Sequence, residues 1–148
     1  MTTPAAVALD DRLCLALYTA SRAMTSRYRP LLGELGLTYP QYLVMVLLWE
    51  GGNASVGQVG ARLDLESSTL SPLLKRLQAM GLVTRTRATR DERSVTVGLT
   101  GAGRALEARA VHVPQVICDA TALSAGNQAV LVAQLRELAA HLEASLDA

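Results

Sequence analysis

Two cysteines, Cys14 and Cys118, stand in the two halves of this 148-residue chain, and all four of its tyrosines, Tyr18, Tyr28, Tyr39 and Tyr42, fall within the first 42 positions. A cysteine thiolate is a nucleophile towards peroxides and disulfides. Phenol O–H groups are suitable donors to such a thiolate, so a cysteine sharing a segment with several tyrosines has the parts of a redox site. The same cysteine also fits a packing role: Cys14 lies at the edge of a helical apolar stripe, where cysteine behaves as a small hydrophobe. Asp10 and Asp11, one turn earlier, do nothing to activate it, so reactivity would have to come from tertiary contacts. Cys118, following Val116 and Ile117 on an apolar helix, is open to the same two readings.

A second chemistry is carried by charge. Residues 75 to 93 hold Lys75, Arg76, Arg85, Arg87, Arg90 and Arg93 against Asp91 and Glu92, six cations to two anions, in a chain whose total is only +1. Cations concentrated on one element are the footprint of phosphate binding. Just before them, Ser67, Ser68, Thr69 and Ser71 bring hydroxyls to the start of a helix, where the N-terminus already favours anions and the side chains reach base edges or phosphates.

Other chemistries find no support. Two distant cysteines suit neither a disulfide scaffold nor a Cys-rich zinc site. His112 and His141 are single histidines without ligand partners, and zinc needs three or four clustered ligands. No Ser-His-Asp order, paired carboxylates or phosphate-cradling glycine loop is present. The expectation is a protein that is not an enzyme, without cofactor or metal.

The elements that position these residues centre on 55 to 100. Ser55 with Gln58 fits a capping box, opening a short helix with Val56, Val59 and Leu63 on one face. Asp64-Leu65-Glu66 supplies a turn, and Ser67, Ser68 and Thr69 start a second helix. Leu70, Leu73, Leu74 and Leu77 recur at i, i+3, i+4, i+7 as its buried face, and Gly81 is its left-handed stop. Residues 82–87 and 94–99 read as two β-branched strands joined by a polar loop over 88–93. Before this unit, a helix is predicted over about 8–29 with Leu9, Leu13, Ala16, Leu17, Ala20 and Met24 as its stripe. Pro30 is expected to end it and to open a short helix closed by Gly36. Thr38 and Gln41 form another capping box before a helix over about 39–50, apolar all round and therefore central. After the hairpin, Thr100 caps a helix that Pro114 should kink or interrupt, and Ser124 caps a last helix with Leu131, Leu135, Leu138 and Leu142 on one face.

The chain is long enough for one domain with a real core. Half its residues are apolar and none is Phe, so that core is built from Leu, Val and Ala. No apolar run is long enough to span a bilayer, and residues 1–11 lack the basic region and apolar core of a secretion signal. The expectation is a cytoplasmic protein with no membrane partner, whose thiols rest reduced.

On its residues, the chain resembles the MarR family of winged-helix repressors. The likeness is carried by Ser67-Ser68-Thr69-Leu70-Ser71, Leu74-Lys75-Arg76-Leu77, Gly81-Leu82-Val83, Asp91-Glu92-Arg93-Ser94 and Leu99-Thr100. Within that family it is similar to the organic hydroperoxide sensors, the OhrR group, in Leu13 to Tyr18, Tyr28-Arg29-Pro30-Leu31-Leu32, Leu37 to Tyr42 and Leu48-Trp49-Glu50.

The resemblance implies a mainly α fold with a small β-hairpin wing, forming one domain over 1–148. Its winged helix-turn-helix is expected over 38–100, and its helical dimerisation part over 8–37 and 101–146. It implies a cytoplasmic homodimeric repressor of double-stranded operator DNA, for which organic hydroperoxides are the reactive signal. Cys14 matches the peroxide-reactive cysteine; Tyr28 and Tyr39 match tyrosines that hydrogen-bond its sulfur across the dimer, and Tyr18 lies in the same region. Arg93 matches a wing arginine that enters the minor groove, with Asp91 as its partner. Ser67, Ser68, Thr69 and Ser71 match groove-reading positions, and Lys75, Arg76, Arg87 and Arg90 complete the DNA-binding set. Cys118 matches a second cysteine found in the branch that closes a disulfide between subunits. The rival within the family is a repressor released by a noncovalent lipophilic or phenolic ligand, with both cysteines packing. A rival of another class is a thiol peroxidase, which leaves the winged-helix pattern without a purpose.

Overall fold

The computed structural model describes residues 6–88 and 91–148, with the backbone alone at 88 and 91–93. It forms two compact units, Met1–Val111 and His112–Ala148.

In the first unit, a 3-10 turn at Leu9–Asp11 leads into α1 (Leu13–Gly33), followed by α2 (Tyr39–Gly51), β1 (Ala54–Ser55), α3 (Val56–Leu63), α4 (Ser67–Ala79), β2 (Val83–Ala88), β3 (Asp91–Leu99) and α5 (Gly101–Ala110). This is the expected helix, turn, helix and hairpin. Both predicted capping boxes are formed. Gln41 N donates to Thr38 Oγ1 while Thr38 N donates to Gln41 Oε1, and Ser55 and Gln58 repeat the exchange. Each box satisfies two N–H groups that the first helical turn leaves without partners.

Two helices stop as glycine dictates. Gly36 (φ +72°) and Gly81 (φ +77°) adopt the left-handed conformation. Around each, the next residue's N–H reaches back to the carbonyl five positions earlier, Leu37 to Leu32 and Leu82 to Leu77, which is the Schellman arrangement. The leucines at both ends of each bond are buried.

Helix α2 is the centre of the unit. Val44, Met45 and Leu48 are fully buried, and α1, α3, α4, α5 and β3 all pack against it. Burying side chains of this size contributes about 1.5–3 kcal/mol each. The inner face of α4 is the predicted one: Leu70, Leu73, Leu74 and Leu77.

Three expectations are corrected. Pro30 does not end the first helix; it lies inside α1, which runs on to Gly33. Proline's fixed φ is a helical one, and its missing N–H removes a single bond, a modest cost three residues before the helix closes. The loop between the strands is shorter than 88–93, because β2 extends to Ala88 and β3 begins at Asp91. The hairpin also gains a third strand: Ala54 and Ser55 pair with Val97 and Thr96, giving the antiparallel order β1-β3-β2.

The stripe predicted along α1 does not face the core of this unit. Leu13 is 59% exposed and Met24 39%, and Leu32 is the helix's one fully buried residue.

In the second unit, α6 (Val113–Thr121) carries Pro114 in its first turn, so the proline interrupts the helical run as expected. Asn127 N donates to Ser124 Oγ at the start of α7 (Ala125–Leu146). No residue of α7 is buried: Leu131, Leu135 and Leu142 of its apolar face are 40–57% exposed. No single helix among the described residues is long and apolar enough to cross a membrane.

Candidate functional site

The outward face of α4 presents polar and basic groups. Ser67, Ser68, Thr69, Lys75 and Arg76 are exposed and Ser71 is half-buried. Ser68 and Lys75 are seven residues apart, so they lie on one face roughly 10 Å apart along the axis. The three first-turn hydroxyls do not supply the N-cap. Glu66 occupies that position and makes no side-chain cap bond. The start of α4 therefore keeps its anion-favouring end uncapped by side chains, with three hydroxyls beside it. Pro72, also exposed, lacks the N–H that would bind the Ser68 carbonyl four residues back. α4 stays continuous through it.

Among the described wing cations, Arg85 is bonded to α4 through its side chain. Val83, Arg85 and Arg87 alternate onto one face of β2. Val83 is buried in the core, and Arg85 Nε donates to Gln78 Oε1 of α4 at 2.9 Å. Arg87, exposed, extends that face towards the tip. Arg90 lies outside the described residues. Asp91 and Arg93 contribute backbone to β3, with Asp91 paired to Ala88 across a register shift, and their side chains lie outside the described set.

Within one chain the thiol and the phenols lie apart. Cys14, the second residue of α1, is exposed. Tyr28 and Tyr39 come together with ring centroids 4.9 Å apart, and Tyr42 joins them 5.7 Å from Tyr28. Tyr18 stands elsewhere, exposed, with the Arg22 guanidinium 5.4 Å from its ring centroid. Fourteen residues of helix separate Cys14 from Tyr28, roughly 21 Å at the helical rise. No phenol of that cluster can donate to the sulfur of its own chain. Cys118, in α6, is half-buried.

The cluster continues into α2 in a way that went unread. Tyr42 is buried, and burial first, then the neighbouring Tyr39, pushes its phenol above the ordinary 10.0. Trp49 meets Tyr42 edge-on at 6.3 Å and its indole N–H donates to the Gly103 carbonyl at 2.9 Å. The signal was the spacing of Tyr39, Tyr42 and Trp49, at i, i+3 and i+10, which puts the three on one face of a helix.

A family model for the transcriptional regulators SarA/Rot matches residues 26–109. An organic hydroperoxide resistance transcriptional regulator of Bacillus subtilis (strain 168) is 49% identical over 109 residues, 74% of this chain and 74% of its own length. The HTH-type transcriptional regulator TtmR of Methylorubrum extorquens (strain PA1) is 43% identical over 136 residues, covering 92% of this chain and 70% of its own. Among solved structures, reduced AbfR bound to DNA, a protein of Staphylococcus epidermidis, superposes with a TM-score of 0.77 at 33% identity, covering 90% of this chain and 93% of its own. The disulfide-formed state of AbfR gives 0.65 at 34% identity, covering 88% and 91%.

Proposed function

The chain belongs to the SarA/Rot and MarR-type winged-helix transcriptional regulators, and from that premise we propose that it is a cytoplasmic homodimeric repressor released from its operator when an organic hydroperoxide oxidises Cys14. It is a DNA-binding transcriptional regulator; the signal and the residues that receive it are this proposal's content.

On DNA, the hydroxyls of Ser67, Ser68, Thr69 and Ser71 read the major groove. Lys75, Arg76, Arg87 and Arg90 neutralise phosphates, and Arg93, steadied by Asp91, enters the minor groove. A homodimer places two copies of α4 one helical turn of DNA apart, roughly 34–36 Å. The apolar side chains left exposed along α1 and α7 support a second copy as their cover.

The observation that carries the redox reading is that Cys14 is exposed while the phenol cluster of Tyr28 and Tyr39 is out of its reach along the same helix. On this reading the sulfur held by those phenols belongs to a second copy, and dimerisation completes the sensing site. The thiolate attacks the terminal oxygen of the hydroperoxide. The O–O bond breaks, the alcohol leaves with a proton, and the sulfur, oxidised by two electrons, becomes a sulfenic acid. A second thiol then attacks that sulfur, a disulfide forms and water leaves. We assign this thiol to Cys118 of the partner subunit. The new bond favours a dimer geometry that fits DNA less well, and each 1.4 kcal/mol of difference between the two states releases about tenfold.

The test is an operator gel shift with the reduced protein, repeated after an organic hydroperoxide. Reduced protein should bind, treated protein should not, and a reductant should restore binding. Cys14→Ser should bind and ignore the hydroperoxide. Release that persists in Cys14→Ser would remove the thiol from the mechanism, and release by a lipophilic ligand without oxidant would favour the noncovalent rival.

A further inference from the structure

The phenol cluster is connected to the closing turn of α4 by an unbroken series of contacts within the first unit. The ring of Tyr39 packs at a tilt against Tyr28, Tyr28 at a tilt against Tyr42, and Tyr42 meets Trp49 edge-on, with centroid distances of 4.9, 5.7 and 6.3 Å. The Trp49 indole N–H donates to the Gly103 carbonyl in the first turn of α5. The Gly103 N–H donates to Thr100 Oγ1 at 3.0 Å, and that same hydroxyl donates to the Gly81 carbonyl at 2.6 Å. Gly81 is the left-handed residue that ends α4. The Thr100 N–H donates to the Leu82 carbonyl at 3.1 Å, and a Cβ on Gly103 would run into that same carbonyl.

Two features make this a joint and not general packing. A hydroxyl has one proton to give, and that of Thr100 is committed to α4 while its oxygen is committed to α5. A half-buried indole N–H needs an acceptor, and the acceptor Trp49 finds is 54 residues away on another helix. Helix α2 therefore reaches α5 through a directional bond, and α5 reaches the end of α4 through two more. Packed helices shift between discrete arrangements and do not deform smoothly.

We propose that Trp49, Gly103 and Thr100 form the link that carries the state of the thiol site to the recognition helix, so that Trp49 and Thr100 are positioning residues for regulated DNA release. This rests on the redox reading above. When the sulfur held by Tyr28 and Tyr39 is oxidised, the cluster changes its stacking, α2 carries the change to Trp49, and the Trp49–Gly103–Thr100–Gly81 series re-aims α4.

The experiment measures operator Kd before and after an organic hydroperoxide, together with fluorescence. Trp49 is the chain's single tryptophan, so its emission reports on the joint in unmodified protein. Oxidation of the wild type should change that emission at the same rate as DNA is released. Thr100→Val, which keeps the shape and removes the hydroxyl, and Trp49→Phe, which removes the indole N–H, should bind operator when reduced, with the oxidised-to-reduced Kd ratio falling towards unity. Thr100→Ser restores both hydrogen bonds and should restore the wild-type ratio. An unchanged ratio in both Thr100→Val and Trp49→Phe overturns the link, as does a constant emission while wild type releases DNA; in either case the redox reading itself survives. A wild type indifferent to hydroperoxide fails at the earlier step and removes the redox reading with the link.

Discussion

The ring of Tyr28, on α1, lies 4.9 Å from the ring of Tyr39, on α2, tilted by 48°. This pair fastens the first helix to the central one, roughly 21 Å along α1 from Cys14. Tyr28→Phe and Tyr39→Phe each remove a hydroxyl and almost no volume, so the stack survives. Reduced-state DNA binding should stay close to wild type, while the reaction of Cys14 with hydroperoxide should slow if, as proposed, these phenols of a second copy hold its thiolate. Rates of Cys14 alkylation across pH provide the check. Coincident profiles in wild type and both variants would leave the two phenols a packing role only.

Tyr42 gives a pH dependence whose sign is fixed. Burial, and after it the charge of Tyr39, raises its phenol above 10.0. As pH rises past the unfolded value the unfolded chain gives up this proton first, while the folded chain keeps it. The folded state binds more protons there, so stability falls with rising pH. The contribution is complete below about pH 10 and is lost as pH climbs through the raised folded value. Tyr42→Phe should flatten the alkaline part of a plot of urea midpoint against pH. An equally steep decline in the variant would assign it to other groups.

Two glycines should respond unequally to the same added methyl. A Cβ on Gly103 meets the Leu82 backbone carbonyl, which cannot move without the wing base, whereas a Cβ on Gly98 would lie 2.6 Å from Asn53 Oδ1, the free end of a side chain. Alanine is favoured over glycine in a helix by about 1 kcal/mol, yet Gly103→Ala should cost about 1–3 kcal/mol by overpacking. Gly98→Ala should cost clearly less, because Asn53 can turn aside. Urea unfolding of the two variants compares them directly, and a Gly103→Ala protein as stable as wild type would contradict the close approach.

Lys75 and Arg76 are exposed on α4 about two turns beyond its hydroxyl-rich start. As phosphate contacts they should weaken operator and unrelated DNA alike, and each replacement by Ala should reduce the salt slope of binding by about 1. A variant that weakens one operator sequence alone would make its residue a base reader.

The parts of this fold that were legible in the sequence are those settled by near neighbours. Thr38 with Gln41 and Ser55 with Gln58 cap because the partners are three residues apart, and Gly36 and Gly81 stop helices because only glycine turns left-handed at no steric cost. The parts that were not legible depend on distant residues. Ala54 and Ser55 are too few to show strand periodicity and become β1 by pairing with Val97 and Thr96. Pro30 breaks a helix by local rule but is carried through by the closing turn at Gly36. The acceptor for Trp49 lies on α5, where no spacing within α2 can announce it. In the candidate site, the hydroxyls on α4 were found because they are contiguous. The separation of Tyr18 from the other tyrosines follows from helix length, which puts ten residues of α1, about 15 Å, between Tyr18 and Tyr28.

The partner of oxidised Cys14 is the step on which reversibility depends. The chain has two cysteines, one before and one after the DNA-binding elements, and both are at least partly exposed. A sulfenic acid left without a thiol proceeds to the irreversible sulfinic and sulfonic acids. In the proposed mechanism, a disulfide between Cys14 of one copy and Cys118 of the other would stop that progression and fix the dimer in the released geometry. The bridge requires Cα atoms within roughly 7 Å, a separation the oxidised dimer must reach and the reduced one need not. Hydroperoxide treatment followed by non-reducing electrophoresis should therefore show a covalent dimer that dithiothreitol dissolves. Cys14→Ser should give none. Cys118→Ser should also give none and should accumulate over-oxidised Cys14, visible by mass as two or three added oxygens. A covalent dimer in Cys118→Ser would instead join two Cys14 residues. A wild type that remains a single chain on the gel, yet still loses DNA on oxidation, would assign the second thiol to a small molecule.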